Sequence, residues 1–384
     1  HQHDAPSACP YAAAPRRGWA QLRHTPRFDD APAQIVFSSG TEGRPKAILL
    51  SHRNLATVTH ELNRIMRVDG EIREYIGVPV TYSFGLGRAR AVSAAGGALF
   101  LPERFDPVEI RDMLAAEEIN AISAVPSLWR AILAAPEVIG AAGQAVRWIE
   151  IGSQYMSGED KEGMRRLFPN ARIVQHYGLS EASRSCFLDV SEGEALESVG
   201  SPMGASEIRI AEGGAIAIRG DHIALGLVET GGAVAPLTDA NGWLITKDRG
   251  EIRENRLYFL GRLDDQINVS GVKIAAEDLE RKIAEMVSGV ADCFAVTGAP
   301  DPARGETVLL AVESGIAEKK PLLEAAAKLA LAQLQVAPGG ALRVVEIATL
   351  PRTGTNKVRR KELRALSCDA APGASTETSA TVVD

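Results

Sequence analysis

The stretch FSSGTEGRPKAILLSH, Phe37 to His52, holds a polar, glycine-bearing loop between two apolar runs. The run IVF enters it and AILL leaves it, and both have the β-branched or aliphatic character of strands. Gly40 and Gly43 permit close backbone approach and unusual dihedrals. Ser38, Ser39 and Thr41 supply hydroxyls, and Lys46 supplies a fixed positive charge. Backbone N–H groups in such a turn can form an anion-binding nest. A Walker loop is excluded, because that motif needs Gly-Lys-Ser/Thr opening a helix. Here Pro45 precedes Lys46 and pushes Arg44 away from helical geometry. Two readings stay open on these residues alone: a phosphate grip, or a polar hairpin loop with an incidental lysine.

Outward from this loop, short β-branched runs alternate with longer helical patterns, the signature of an α/β sheet. Helix-like DPVEIRDMLAAEEI precedes strand-like NAISAVP, and helix-like SLWRAILAAPEVI precedes strand-like VRWIEIG. From about residue 199 the runs shorten, alternate and fill with glycine, which predicts antiparallel β structure. GRLDDQINVSGVKI reads as a junction. Beyond it, EDLERKIAEM and KPLLEAAAKLALAQLQ are helical, separated by the strands CFAVTG and VLLAVES. The expectation is an α/β protein. A large N-terminal domain, with mixed or parallel sheets flanked by helices and a small β-rich part at 199–261, spans 33–261. A mobile α+β C-terminal domain spans 262–368. Residues 1–32 read as a leader or arm and 369–384 as a disordered tail.

Composition bounds the rest. The 384 residues suit two or three domains, with 45% hydrophobic and 24% charged residues. A net charge of -7 argues against a general nucleic-acid binder. Four cysteines (Cys9, Cys186, Cys293, Cys368) lack paired spacing, so neither a disulfide framework nor a zinc site is expected. With no membrane-length apolar run, the expectation is a cytoplasmic protein of a reducing compartment.

Three further segments follow the loop: QHYGLSEAS at 175–183, GWLITKDRGEI at 242–252 running on to YFLGRLDDQINVSGVKI, and LPRTGTNKVRRKEL at 350–363. Together with SSGTEGRPK, and in this order, they resemble the adenylate-forming superfamily of acyl-CoA synthetases, peptide-synthetase adenylation domains and luciferases. The resemblance covers about residues 33 to 366. It implies that a carboxylate attacks the α-phosphorus of ATP to give an acyl-adenylate and pyrophosphate. A thiol of coenzyme A or of a carrier-protein pantetheine arm then displaces AMP.

The resemblance also implies roles. Ser38, Ser39, Gly40, Thr41, Gly43 and Lys46 would cradle the β- and γ-phosphates, an electrostatic grip of the kind phosphoryl chemistry relies on. Tyr177 would stack on adenine, Ser180 would bond phosphate, and Glu181 would hold Mg²⁺, a hard cation suited to one carboxylate plus phosphate oxygens and water. Gly152, Ser153, Gln175, His176 and Gly178 would complete the nucleotide site. Asp248 would take the ribose hydroxyls, with Arg262 near ribose and phosphate. Lys357 would bridge the acid and the α-phosphate, neutralising two like charges that must meet. Asp264 would be the hinge of a domain rotation. The Ser270–Gly271 turn would then reach the thiol entrance.

Bland alternatives accompany these roles: a core aromatic for Tyr177, a solvated charge for Glu181, a surface salt bridge for Asp248 with Arg262, a basic tail for Lys357 and an ordinary turn for Gly271. Acyl-pocket walls would come from Tyr82, Phe84 and Tyr155, suited to a small or planar acyl group. TYSFGLG lacks the aspartate that binds an α-amino group in peptide-synthetase domains. Arg88 and Arg90 could meet a second anionic group of the substrate, but the expectation is a solvated helix face.

The chain departs from the family pattern at Glu42, Lys247 and Asn356, and few residues precede the phosphate loop. A naturally short form is expected, the alternative being a homodimer or another chain that covers an open sheet edge. The competing functions are transfer to an amine or other non-thiol acceptor, and a non-catalytic nucleotide-binding scaffold.

Overall fold

In a computed structural model, residues 29–38, 46–353 and 356–369 are described. Strands β1 (Pro32–Ser38) and β2 (Lys46–Ser51) pair antiparallel with Ser38 opposite Lys46, so the phosphate-loop stretch joins a hairpin. Ser39, Gly40, Thr41, Glu42 and Gly43 lie outside the described residues. Helix α1 (His52–Met66) starts where Ser51 and Asn54 exchange side-chain-to-backbone hydrogen bonds of 2.8 and 3.1 Å, a reciprocal N-terminal cap. Its Val58, Leu62 and Met66, spaced four apart, turn one apolar face inward.

Next, strands and helices alternate: β3 (Arg73–Ile76), α2 (Ser83–Ala95), β4 (Ala98–Phe100), α3 (Pro107–Ala115), β5 (Ala121–Ala124), α4 (Pro126–Leu133), β6 (Trp148–Ile151), α5 (Gly158–Leu167) and β7 (Arg172–Tyr177). Strands β8 (Cys186–Asp189) and β9 (Ser201–Pro202) complete a seven-stranded sheet of order β4-β3-β5-β6-β7-β8-β9. It is parallel from β4 to β7 and antiparallel beyond. Crossover helices cover its faces, which is why β5 and β6 are wholly buried. One core lies under Trp129, Ile149, Ile151 and Phe168, and another under Leu62, Met66 and Val92.

Past residue 199 the chain is rich in short strands. Strands β10 (Glu207–Ile210), β11 (Ala215–Arg219), β14 (Leu244–Arg253) and β15 (Arg256–Arg262) form one antiparallel sheet. Strands β12 (Gly226–Val228) and β13 (Val234–Ala235) join β2 and β1 in another. The large N-terminal part therefore carries three sheets.

The smaller C-terminal part is α+β, as its sequence texture leads one to expect. Strands β16 (Gln266–Val269), β17 (Val272–Ala275), β18 (Phe294–Asp301), β19 (Gly305–Glu313) and β20 (Leu342–Ile347) form one sheet. Helices α6 (Ala276–Met286) and α7 (Lys320–Gln333) pack on it through Leu279, Ile283, Leu323, Ala327 and Leu331. Helix α8 (Arg360–Asp369) ends the described chain, with Leu363 buried beside Leu350.

Candidate active site

Ligands in open α/β sheets gather outside the carboxyl ends of the parallel strands. Strand β7 ends there, and its sequence Gln175-His176-Tyr177 runs into a tight turn in which Leu179 and Ala182 exchange backbone hydrogen bonds of 2.9 and 3.2 Å. Gly178 fits this turn because a Cβ on it would come within 2.3 Å of the Arg184 nitrogen. Ser180 and Glu181 sit at the turn's outer end, partly buried.

From the neighbouring sheet, β14 brings Asp248, which is 6% exposed. The Tyr177 hydroxyl donates to Asp248 Oδ2 at 2.7 Å. Burial raises the Asp248 pKa, opposed by that hydroxyl and by the charges of Arg262 and Lys357. Arg262 stands opposite Asp248 in the β14–β15 register, with 3.6 Å between Nη1 and Oδ1. Its stronger pairing is the two-pronged one with Asp264, at 2.8 and 2.9 Å. Lys247 Nζ adds a contact of 3.5 Å to the same carboxylate. The pull of these cations outweighs burial and lowers the Asp264 pKa. A surface salt bridge is thus a poor description of Asp248, which is buried and anchored by a phenol.

Lys357 comes from the far end of the chain. Arg352 and Val358 bridge antiparallel, Thr353 N–H donates to the Lys357 carbonyl at 2.8 Å, and Lys357 N–H donates to Thr353 Oγ1 at 3.1 Å. Asn356 turns this hairpin at φ 63°, in the left-handed region where asparagine is the best substitute for glycine. Lys357 keeps exposed surface, yet enough protein crowds its ammonium to desolvate it. That crowding lowers its pKa, while the negative charges of Glu277, Asp248 and Glu181 pull it back up. Lys357, Asp248, Tyr177 and Glu181, from three distant motifs, therefore converge. Glu277, in the first turn of α6, presents a buried Oε2 without a hydrogen-bond partner to the same cluster. Nothing in the motifs pointed to it.

The other expected residues divide. Gly152 and Ser153 follow β6 at the same sheet edge, Ser153 at φ 76°. Phe84 lies at the start of α2, its ring edge-on to His176 at 4.9 Å. Tyr82 caps that helix. Tyr155 donates instead to Glu197 Oε2 at 2.9 Å. Ser270 and Gly271 form an exposed two-residue hairpin turn with φ 51° and 90°, the geometry of a type I′ turn.

The expectation for Arg88 is overturned. It is wholly buried, paired with Glu74 through both Nε (2.8 Å) and Nη2, and lies 3.3 Å from Glu150. Glu150 also meets Arg184 Nε at 2.7 Å and His176 Nδ1 at 2.6 Å, and Ser123 donates to Glu74. Burial alone would push the Glu150 pKa up, but Arg184, His176 and Arg88 hold it well below the usual range. Arg90 is half-buried, donates to Gln34 at 3.1 Å, and is lowered to about 10 by burial and by Arg184. The reason is topological: α2 lies on the sheet, and its Arg88 face turns toward the carboxylates of β3 and β6. The available signal was a charge inside each short strand, REYI and WIEI.

Among the described residues no cluster of three His, Cys, Asp or Glu could hold a metal ion by itself. None of their helices is long and apolar enough to cross a membrane.

Comparisons with known proteins agree with this architecture. The family model described as AMP-binding enzyme matches residues 2–228. A 3-[(3aS,4S,7aS)-7a-methyl-1,5-dioxo-octahydro-1H-inden-4-yl]propanoyl:CoA ligase of Mycobacterium tuberculosis is 27% identical over 340 residues, covering 87% of this chain and 66% of that protein. 4-Coumarate–CoA ligase 2 of Nicotiana tabacum is 26% identical over 370 residues, covering 88% and 67%. The chain thus spans about two thirds of the length of the curated relatives it matches. The solved structure of ATP-bound MatB from Rhodopseudomonas palustris shares the fold, with a TM-score of 0.76, 24% identity, and coverage of 88% of this chain and 69% of that one. With the family model matching more than half its length, and with Tyr177 bonded to an Asp248 that also feels the charge of Lys357, the chain belongs to the AMP-binding enzyme family.

Proposed function

We propose that this chain adenylates a carboxylic acid with ATP, releasing pyrophosphate, and then passes the acyl group to a thiol of coenzyme A or of a carrier-protein pantetheine arm, releasing AMP. The carrying observation is the convergence of Lys357 with Asp248, Tyr177 and Glu181. A carboxylate and an α-phosphate repel each other, and one ammonium set among acidic groups can screen both as they meet. Tyr177 and Asp248, already hydrogen-bonded, form a rigid platform for an adenosine, with the carboxylate available to the ribose hydroxyls. Ser38 and Lys46 face each other at the mouth of the β1–β2 hairpin, a suitable place to hold pyrophosphate. The donor set at Glu181, a single hard carboxylate beside the phosphate position, fits Mg²⁺ shared with phosphate oxygens and water, and a bound Mg²⁺ would neutralise phosphate charge there. Division at residue 261/262, with rotation about Asp264 between the half-reactions, completes the reading.

The test is pyrophosphate release over a broad panel of acids, with and without coenzyme A. Lys357→Ala should cut acid-dependent pyrophosphate exchange by at least about a hundredfold, and an unchanged rate would refute the lysine's role. Release of AMP accelerated by amines and not by thiols would shift the acceptor to a nitrogen nucleophile. Absence of exchange with every acid would leave a nucleotide-binding scaffold.

A further inference from the structure

We propose that Glu277 is a positioning residue for the adenylation half-reaction, its carboxylate aiming the Lys357 ammonium at the point where the acid and the α-phosphate meet. This rests on the adenylation reading. Glu277 and Glu280 stand three apart in α6 and so share a face. Lys357 and Arg360 are likewise three apart, where the Arg352–Val358 bridge runs into α8. Arg360 Nη2 donates to Glu280 Oε2 at 2.6 Å, and its Nε lies 3.9 Å from Asp265. Glu280 Oε1 is fixed in turn by the Val296 N–H at 2.6 Å. This pairing sets the register of the two segments, one step beyond Glu277 and Lys357. Glu277 also leans on the strand beside Asp248. A Cβ on Gly261 would lie 3.9 Å from Glu277 Oε2, and the next residue, Arg262, stands opposite Asp248 in the β14–β15 register.

The protein crowded around the Lys357 ammonium lowers its pKa, and of the carboxylates that oppose this Glu277 acts most strongly, ahead of Asp248 and Glu181. Asp248 is already engaged by the Tyr177 hydroxyl at 2.7 Å. Glu277 is not: its Oε2 is buried and takes no hydrogen bond among the described residues. A buried carboxylate oxygen without a partner lowers stability, so folding alone gives no reason to keep it. An electrostatic role does. The ammonium is drawn toward Glu277 without being captured, and stays free to bridge the two anions it must bring together. Glu277 and Lys357 both belong to the small C-terminal part, so this pull acts before any ligand arrives. Charge arranged in advance is the kind that lowers a barrier most.

The test compares the full native chain with Glu277→Gln and Glu277→Asp in ATP–pyrophosphate exchange. The acids are the same broad panel, acetate, butyrate, benzoate and 4-coumarate among them, and the fastest is carried forward. Glu277→Gln keeps the shape and removes the charge. It should cut the maximal exchange rate at least about tenfold, while KM for acid and for ATP stays within about twofold of native. Its melting temperature should hold or rise, because a neutral amide relieves the unpartnered charge. A residue kept for folding would show the reverse. Glu277→Asp, which restores the charge, should return to within about threefold of the native rate. Native exchange in Glu277→Gln would overturn the proposal alone. So would a loss carried by KM, or one that follows a fallen melting temperature and is not rescued in Glu277→Asp. Absence of exchange by the native chain with every acid would overturn the adenylation reading and this proposal with it.

Discussion

His222 shows how a single buried ring ties stability to pH. It is 1% exposed and accepts or donates at both nitrogens, to Ser185 Oγ at 2.9 Å and to Ser206 Oγ at 3.1 Å. Burial lowers its pKa to about 4 from 6.5. Between those values the unfolded chain binds the proton and the folded chain does not, so stability rises with pH across that window and is lost as pH falls through it. The group's share is about 3 kcal/mol. Urea titrations at pH 6.5 and pH 4.5 should show a steeper loss in the native chain than in His222→Gln; equal losses would discount the histidine. At Asp248 the expectation concerns binding: Asp248→Asn should weaken AMP affinity about tenfold or more, measured by calorimetry, with little change in melting. These residues differ in how far the sequence exposes them. Asp248 and Lys357 stand in recognisable motifs, so their roles can be anticipated. His222 and Glu277 stand in none, and their importance comes from what folds over them.

Among the elements, the LPRTGTNKV hairpin makes the point most directly. Asn356 stands at φ 63°, a conformation that costs a β-branched residue about 1–2 kcal/mol. Asn356→Val should lower pyrophosphate exchange severalfold while the global melting temperature moves little, and Asn356→Gly should retain the native rate. A valine variant with native exchange would show that the hairpin need not be preformed. The strand–helix alternation was legible from periodicity, because crossover helices and buried strands impose different apolar spacings. Boundaries were less so: α3 stops at Ala115, although the apolar pattern continues to Ile119, because Glu117 turns left-handed at φ 57°. Helix α4 stops at Leu133, just ahead of Pro136, as the proline requires. The buried position of α2's Arg88 was illegible, since a charge in a helix is by default a solvated one. Only the sheet order, which sets β3 and β6 on either side of β5, puts Glu74 and Glu150 within its reach.

For the whole molecule, the large and small parts meet at more places than the surroundings of Lys357. Arg130 on α4 pairs with Asp292, ahead of β18, at 2.8 and 2.6 Å, and Arg352 donates to the Asp292 carbonyl. Asp292 thus holds the large part through its carboxylate and the segment that carries Lys357 through its backbone carbonyl. Asp292→Ala should slow adenylation a few-fold and leave thiol capture of a supplied acyl-adenylate unslowed, as read by single-turnover kinetics of each half-reaction. Equal slowing of both would make the contact merely structural. The charged set of Glu74, Arg88, Glu150 and Arg184 carries a consequence for ancestry. Loss of any one member strands an opposite charge in a dry interior, at about 3–5 kcal/mol, a large fraction of a typical domain's stability. Homologues should therefore hold the set whole or replace it whole, and intermediates should be rare. Change at these four positions along a lineage would then proceed by jumps, with several of them altering together, rather than by single tolerated substitutions.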